Sequence, residues 1–139
     1  MKYIAMVMLN RNSQAARNYE EGAPPDPKLE EAMGRHMEEL TKAGVLVDVA
    51  GLLPLAKGAR VQAAGGTLMV TDGPFIESKE VVGGYAILRA NSKEEAIEQG
   101  KGFMKLHLDA FGPSYEGAVE IREMFDPSDL EPAAAKNAQ

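Results

Sequence analysis

The sequence of 139 residues contains no Cys, 45% hydrophobic residues and a net charge of −6, which together predict one globular domain with its own hydrophobic core. Because the net charge is negative and the 15 Lys and Arg residues form no basic cluster, we expect no nucleic-acid partner, and an anionic membrane is disfavoured. No segment approaches the roughly 20 apolar residues of a membrane span, and the N-terminal apolar run is too short for a signal peptide, so we expect a cytoplasmic protein.

A strand and a long loop are predicted at the start of the chain. Residues 2–9 form an apolar run that is too short for a typical helix, a pattern typical of a strand buried on both faces. Alternate side chains of this strand divide into two sets, with Tyr3, Ala5, Val7 and Leu9 on one face and Ile4, Met6 and Met8 on the other. Residues 10–27 follow with three prolines and no hydrophobic periodicity, which predicts a loop.

The first helix is predicted over residues 27–43. Asp26 and Pro27 suit its N-cap and first helical position, and Gly44 suits its C-terminal end. Its apolar residues recur at helical spacing and form one amphipathic stripe. His36 lies within that stripe.

The remaining elements are a strand, a hairpin, a further strand, a second helix and a last strand. Gly65-Gly66 lies between the two extended runs and predicts a tight hairpin turn, because such turns need positive φ angles. Ser92 and Glu95 form a capping box at the start of the second helix, which carries His107 on its apolar stripe. In chain order the strands are predicted over 45–50, 59–64, 67–71, 84–90 and 119–122, and the helix over 92–109.

This order of elements predicts an α+β, ferredoxin-like fold, in which a split β-α-β arrangement carries an extra β-hairpin. Two helices can cover only one face of the sheet, although the first strand is apolar on both faces. We therefore expect a second copy of the chain to cover the other face, and we predict a homodimer with its sheets packed face to face.

Several segments of the chain resemble the YCII-related proteins that carry a DGPF motif. The residues that carry this resemblance are the segment 70–80 with Asp72-Gly73-Pro74-Phe75, the following Gly83-Gly84-Tyr85, and the segments 43–46, 57–61 and 115–122. The resemblance extends over about residues 1–125. We therefore predict a domain over residues 1–125 and a flexible tail over residues 126–139.

The resemblance implies a dimeric α/β-barrel built from ferredoxin-like subunits. It implies less about activity, because most members of the family have no assigned reaction. A few relatives in the wider superfamily are lyase-like enzymes that remove chloride from hydroxylated aromatic rings, and a His/Asp pair is the proposed site in others.

Asp72 and His36 are the candidate catalytic residues. Asp72 precedes Gly-Pro after a strand, so its carboxylate either caps a turn or acts as a general base or metal ligand at a strand end. His36 is either a packed histidine of the helix stripe or a general acid/base, since an imidazole exchanges protons near neutral pH. In the catalytic interpretation Asp72 is the expected partner of His36. His107 is interpreted mainly as a structural residue.

Tyr85, Lys79 and Arg60 are the candidate substrate-binding residues. Lys79 belongs to a charged cluster after the motif and can bind a carboxylate or phenolate, and Arg60 can bind an anion. Tyr85 can orient a substrate through its hydroxyl. The alternative for each is a structural role, as a solvated charge or as a packed ring with its hydroxyl at the rim.

Gly73 and Phe75 are expected to shape the turn rather than to take part in chemistry. Gly73 is expected to supply a positive φ angle that a side chain resists, and Phe75 to bury its ring beside the turn.

Two functions are consistent with these residues. The first is a small acid–base enzyme of lyase or isomerase type that acts on a small polar organic molecule in a cleft of the homodimer. The second is a non-catalytic dimer that binds a small ligand or a partner protein and uses the DGPF motif as a structural turn. Without Cys, and with two His, thiol nucleophiles and thiolate zinc sites are excluded, and we expect neither a cofactor nor a metal.

Overall fold

Residues 1–75 and 80–127 are described by a computed structural model, and these residues form six strands and three α-helices. The strands are β1 (Lys2–Asn10), β2 (Leu46–Gly51), β3 (Ala59–Ala64), β4 (Thr67–Asp72), β5 (Glu80–Arg89) and β6 (Ala118–Glu123). The helices are α1 (Gln14–Glu20), α2 (Pro27–Lys42) and α3 (Lys93–Phe111), and a short 3₁₀ turn covers Leu55–Lys57.

The main sheet is antiparallel and has the strand order β2-β5-β1-β6, while β3 and β4 form a separate two-stranded hairpin. This is the predicted ferredoxin-like α+β arrangement with an extra hairpin. β6 pairs with β1 from Tyr3 to Met8, so the folded unit extends at least to the end of β6. The tail predicted from residue 126 lies mostly in residues 128–139, outside the described residues.

The helix ends follow the capping residues in the sequence. The Asp26 carboxylate accepts hydrogen bonds from the backbone N–H groups of Lys28 and Leu29 at 2.9 and 3.1 Å. Gly44 follows α2 with a φ angle of 72°. The Ser92 hydroxyl accepts from the backbone N–H of Glu95 at 3.1 Å. These contacts confirm the predicted boundaries of α2 and the predicted start of α3.

The prediction that residues 10–27 form a loop without regular structure is wrong, because α1 lies within that segment. The Ser13 hydroxyl caps α1 by accepting from the backbone N–H of Ala16 at 3.1 Å. Ala16 is fully buried against Leu9 and Val81. A helix of two turns that buries one small residue shows no hydrophobic periodicity, which is why the pattern missed it.

The two faces of the main sheet differ in burial. Tyr3, Ala5 and Leu9 of β1 are buried on the face that the helices cover. Ile4, Met6 and Met8 lie on the opposite face and are partly exposed. The predicted division of β1 into two sets of apolar side chains is confirmed.

The hairpin turns at two glycines, as predicted. Gly65 and Gly66 have φ angles of 59° and 78° between the paired residues Ala64 and Thr67. Residues that pair across β3 and β4 lie on the same face of the hairpin. One of the two faces is apolar and carries Val61, Ala63, Leu68 and Val70. The three larger side chains are 67 to 75% exposed.

Candidate functional site

A cavity of about 290 Å³ lies between the main sheet and the helices. Residues of β1 and β5 line it on the sheet side, and residues of α1, α2 and α3 line it on the helix side. Much of this lining is aliphatic, and it includes Leu29, Met33, Met37 and Leu40 of the first long helix. The interior is therefore open rather than filled, which is the property that a small-molecule site requires.

Polar groups are few in the lining. The described residues that bring polar side chains to the cavity are His36, His107, Gln99, Tyr19 and Tyr115, and no Lys, Arg, Asp or Glu is among the described lining. An ion in such a cavity would lose its hydration without gaining a counter-charge, which is costly. The lining can thus recognise hydrogen-bonding groups and can move a proton, but it offers no fixed charge.

His36 lies on the side of α2 that faces α3. It is half-buried. Its Cε1 atom faces Gly102 of α3, and a Cβ built on that glycine would lie 3.7 Å from this atom. This is an ordinary contact distance, so the imidazole lies between the two helices beside Gly102. The structure therefore places His36 on the cavity wall.

His107 is the second imidazole of the cavity. It is 8% exposed, and its Nδ1 atom lies 3.0 Å from the carbonyl oxygen of Phe103. Burial lowers the pKa of His107 below its usual value, and the hydrogen bond to the Phe103 carbonyl opposes this effect only in part. At neutral pH His107 is therefore an uncharged imidazole.

Asp72 lies outside the lining formed by the described residues. It pairs with Ala59 at the base of the hairpin, and it is exposed. The structure does not bring Asp72 to His36 within one chain.

The DGPF segment is held by contacts with the backbone and with two arginines. A Cβ on Gly73 would collide with the carbonyl oxygen of Leu55, and the φ angle of Gly73 is not positive. The expected positive φ is thus wrong, and close backbone contact is the actual constraint. The Arg60 guanidinium lies 4.2 Å from the centre of the Phe75 ring, and Arg11 donates to the Phe75 carbonyl.

Tyr85 directs its side chain away from the helices, because it alternates along β5 with Ala86, which packs on the helix side. Its hydroxyl donates to the Asp48 carboxylate at 3.3 Å, and the charge of Asp48 raises the pKa of Tyr85. Of the three predicted substrate-binding residues, Tyr85 belongs to a strand that borders the cavity but carries its hydroxyl on the opposite face of the sheet. Arg60 contacts Phe75, and Lys79 lies outside the described residues.

The aromatic side of the cavity was not predicted as a site. It is formed by Phe103, His107, Phe111 and Tyr115, and the last of these follows α3 after Gly112. The helix stripe that includes Phe103 and His107 was recognised, but a stripe alone does not distinguish a filled core from the wall of a cavity. Tyr115 had no periodic signal because it lies in a loop.

The fold and the cavity together define a ferredoxin-like α+β protein with a mostly apolar cavity between helices and sheet. A sequence model of the YCII-related domain matches residues 1–111, and the chain belongs to the YCII-related family. It is similar to an uncharacterised protein of Rhizobium meliloti (strain 1021), with 28% identity over 107 residues, which cover 76% of this chain and 82% of that protein. None of the helices within the described residues combines the length and the hydropathy that crossing a membrane would require.

Proposed function

We propose that this protein is a small acid–base enzyme of lyase or isomerase type, which binds a small organic molecule in the cavity and uses His36 to move a proton. The observation that supports this most strongly is the position of His36 on the wall of an open cavity with mostly apolar sides. An imidazole exchanges protons near neutral pH, and apolar walls strengthen its electrostatic interaction with a bound substrate.

The proposal includes a homodimer in which the open face of the main sheet packs against its copy. Ile4, Met6 and Met8 supply apolar side chains on that face, and they are partly exposed in the single chain. The hairpin presents a second apolar face, with Leu68 75% exposed. Exposed apolar faces of this kind are typical of protein interfaces.

A second candidate function is a non-catalytic binding module. It is favoured by one observation, namely that the described lining of the cavity contains no carboxylate to orient His36. Asp72 as the partner of His36 stays a prediction, and it requires that a second copy bring Asp72 to the cavity. The anion-orienting roles of Tyr85, Lys79 and Arg60 also stay predictions.

The test begins with a thermal-shift screen of metabolites, because a ligand that prefers the native state raises the melting temperature. Compounds that bind are incubated with the protein and analysed by mass spectrometry for turnover. His36→Gln should lower kcat by a factor of about 100 or more while leaving the fold intact, in the range typical of a lost proton-transfer group. Glu38→Gln, an exposed change on the same helix, is the matched control and should leave kcat unchanged.

Undiminished turnover in His36→Gln would overturn the assignment of the proton-transfer step. Binding of compounds without turnover by the unaltered protein would favour the module over the enzyme. Asp72→Asn provides a further comparison. If a second copy supplies Asp72 as the partner of His36, turnover falls, whereas a purely turn-forming Asp72 leaves turnover unchanged.

A further inference from the structure

One wall of the cavity is built from aromatic rings. The ring centres of Phe103 and His107 are 4.6 Å apart, and those of His107 and Tyr115 are 5.6 Å apart with 28° between their planes. Phe111 and Tyr115 follow at 5.3 Å and 20°. The planes of Phe103 and His107 are tilted by 48°, so the wall combines tilted and stacked rings. A flat ligand can pack against such a wall in edge-to-face or offset-stacked geometry.

His107 presents a hydrogen-bond acceptor on this wall. Because the Phe103 carbonyl can only accept, the Nδ1 atom of His107 carries the proton and donates to it at 3.0 Å. In the neutral imidazole the other nitrogen, Nε2, is then unprotonated. No group among the described residues donates to Nε2, which leaves it available to a bound molecule.

The Tyr115 hydroxyl does not supply the hydrogen bond to a bound molecule. It is shielded from solvent and has no hydrogen-bond partner in the described part of the chain. It lies against Gly117, where an added Cβ would collide with it. Tyr115 therefore contributes its ring to the wall, and His107 contributes the polar contact.

The absence of charged side chains from the described lining limits the charge of the ligand. A carboxylate or phosphate would be buried without a counter-charge. Neutral His107 supplies no positive charge to offset it.

We propose that the wall of Phe103, His107, Phe111 and Tyr115 is a binding subsite for a small, uncharged cyclic molecule with a hydroxyl or amine that donates to Nε2 of His107. This inference rests on the proposed function, since it assigns a ligand class to the same cavity. It differs from the sequence-based expectation of an anionic substrate group.

Three probes of similar shape test the proposal. Benzyl alcohol is uncharged and has a donor, toluene is uncharged without one, and benzoate is an anion. Each is titrated into the full-length protein at neutral pH, and dissociation constants are measured by NMR. Benzyl alcohol and toluene should bind, and benzoate should not bind over the same concentration range.

The hydrogen bond is isolated by comparing variants. The ratio of the toluene Kd to the benzyl alcohol Kd should fall about 10-fold in His107→Phe, which corresponds to one lost hydrogen bond of typical strength. Lys105→Gln, an exposed change on the same helix outside the described lining, is the matched control and should leave the ratio unchanged. A ratio that is the same in the unaltered protein and in His107→Phe would overturn the role of Nε2.

Binding of the three probes to the unaltered protein tests the proposal without depending on the folding of any variant. Benzoate binding as tightly as benzyl alcohol would overturn the uncharged ligand class. If none of the three probes bound, the subsite would be refuted. The turnover test of His36 is a separate measurement, so loss of the subsite and loss of the proposed enzyme activity are distinguishable.

Discussion

Gly73 lies where the base of the hairpin meets the 3₁₀ turn, and this contact predicts the effect of a single methyl group. A Cβ at Gly73 would collide with the Leu55 carbonyl oxygen, whereas a Cβ at Gly58 would lie 3.5 Å from the same oxygen, an ordinary contact distance. The Gly73 N–H also donates to the Gly58 carbonyl at 2.9 Å. Gly73→Ala must therefore separate the two backbone segments.

The expected cost of Gly73→Ala is about 2 kcal/mol. About 1 kcal/mol comes from the lost hydrogen bond and about 1 kcal/mol from the displaced backbone. Gly58→Ala is the matched control and should change stability by less than about 0.5 kcal/mol.

Hydrogen exchange at the amides of β3 and β4 is the assay, because the hairpin opens locally when its base is loosened. Exchange in Gly73→Ala should be about 30-fold faster than in the unaltered protein, which is the factor that corresponds to about 2 kcal/mol. Equal exchange rates in Gly73→Ala and Gly58→Ala would refute the steric explanation of this glycine in the DGPF motif.

Two further predictions concern His107 and the sheet face. Burial lowers the pKa of folded His107 below its ordinary value of 6.5, so the unfolded chain binds the proton more readily. The free energy of unfolding should therefore fall as the pH drops below about 6.5. Urea unfolding of His107→Phe should not show this fall. Identical pH profiles for the two proteins would contradict the prediction. Met6→Glu on the open sheet face should convert a dimer to a monomer in analytical ultracentrifugation, while Ile97→Glu on α3 should not. A monomer for the unaltered protein at micromolar concentration would remove the homodimer from the proposal.

Most of the fold was predictable because its signals are local. Asp26-Pro27 marks the start of α2, Ser92 with Glu95 marks that of α3, and Gly65-Gly66 marks the hairpin turn. Each of these works through backbone conformation or capping within a few residues. α1 was missed because its cap, Ser13, is followed by a helix too short to show a period.

The site was less predictable because it depends on how the elements pack. The helix stripe placed His36 correctly on an inward-facing surface, but a sequence pattern does not reveal that the space behind it is open. The position of Asp72 depends on the direction of a hairpin that is separate from the main sheet. The contact of the Arg60 guanidinium with the ring of Phe75 could not be predicted either, because the two residues belong to different segments that meet only in the fold.

The methionine methyl groups test directly whether the cavity between the helices and the sheet binds a small molecule. Met33 and Met37 line the cavity, whereas Met6 lies on the opposite face of the sheet and Met69 lies on the exposed hairpin. In a titration of methyl-labelled protein with benzyl alcohol, the resonances of Met33 and Met37 should shift and saturate while those of Met6 and Met69 stay in place. Saturable shifts confined to Met6 or Met69, or no saturable shift at Met33 and Met37, would show that the cavity does not bind benzyl alcohol.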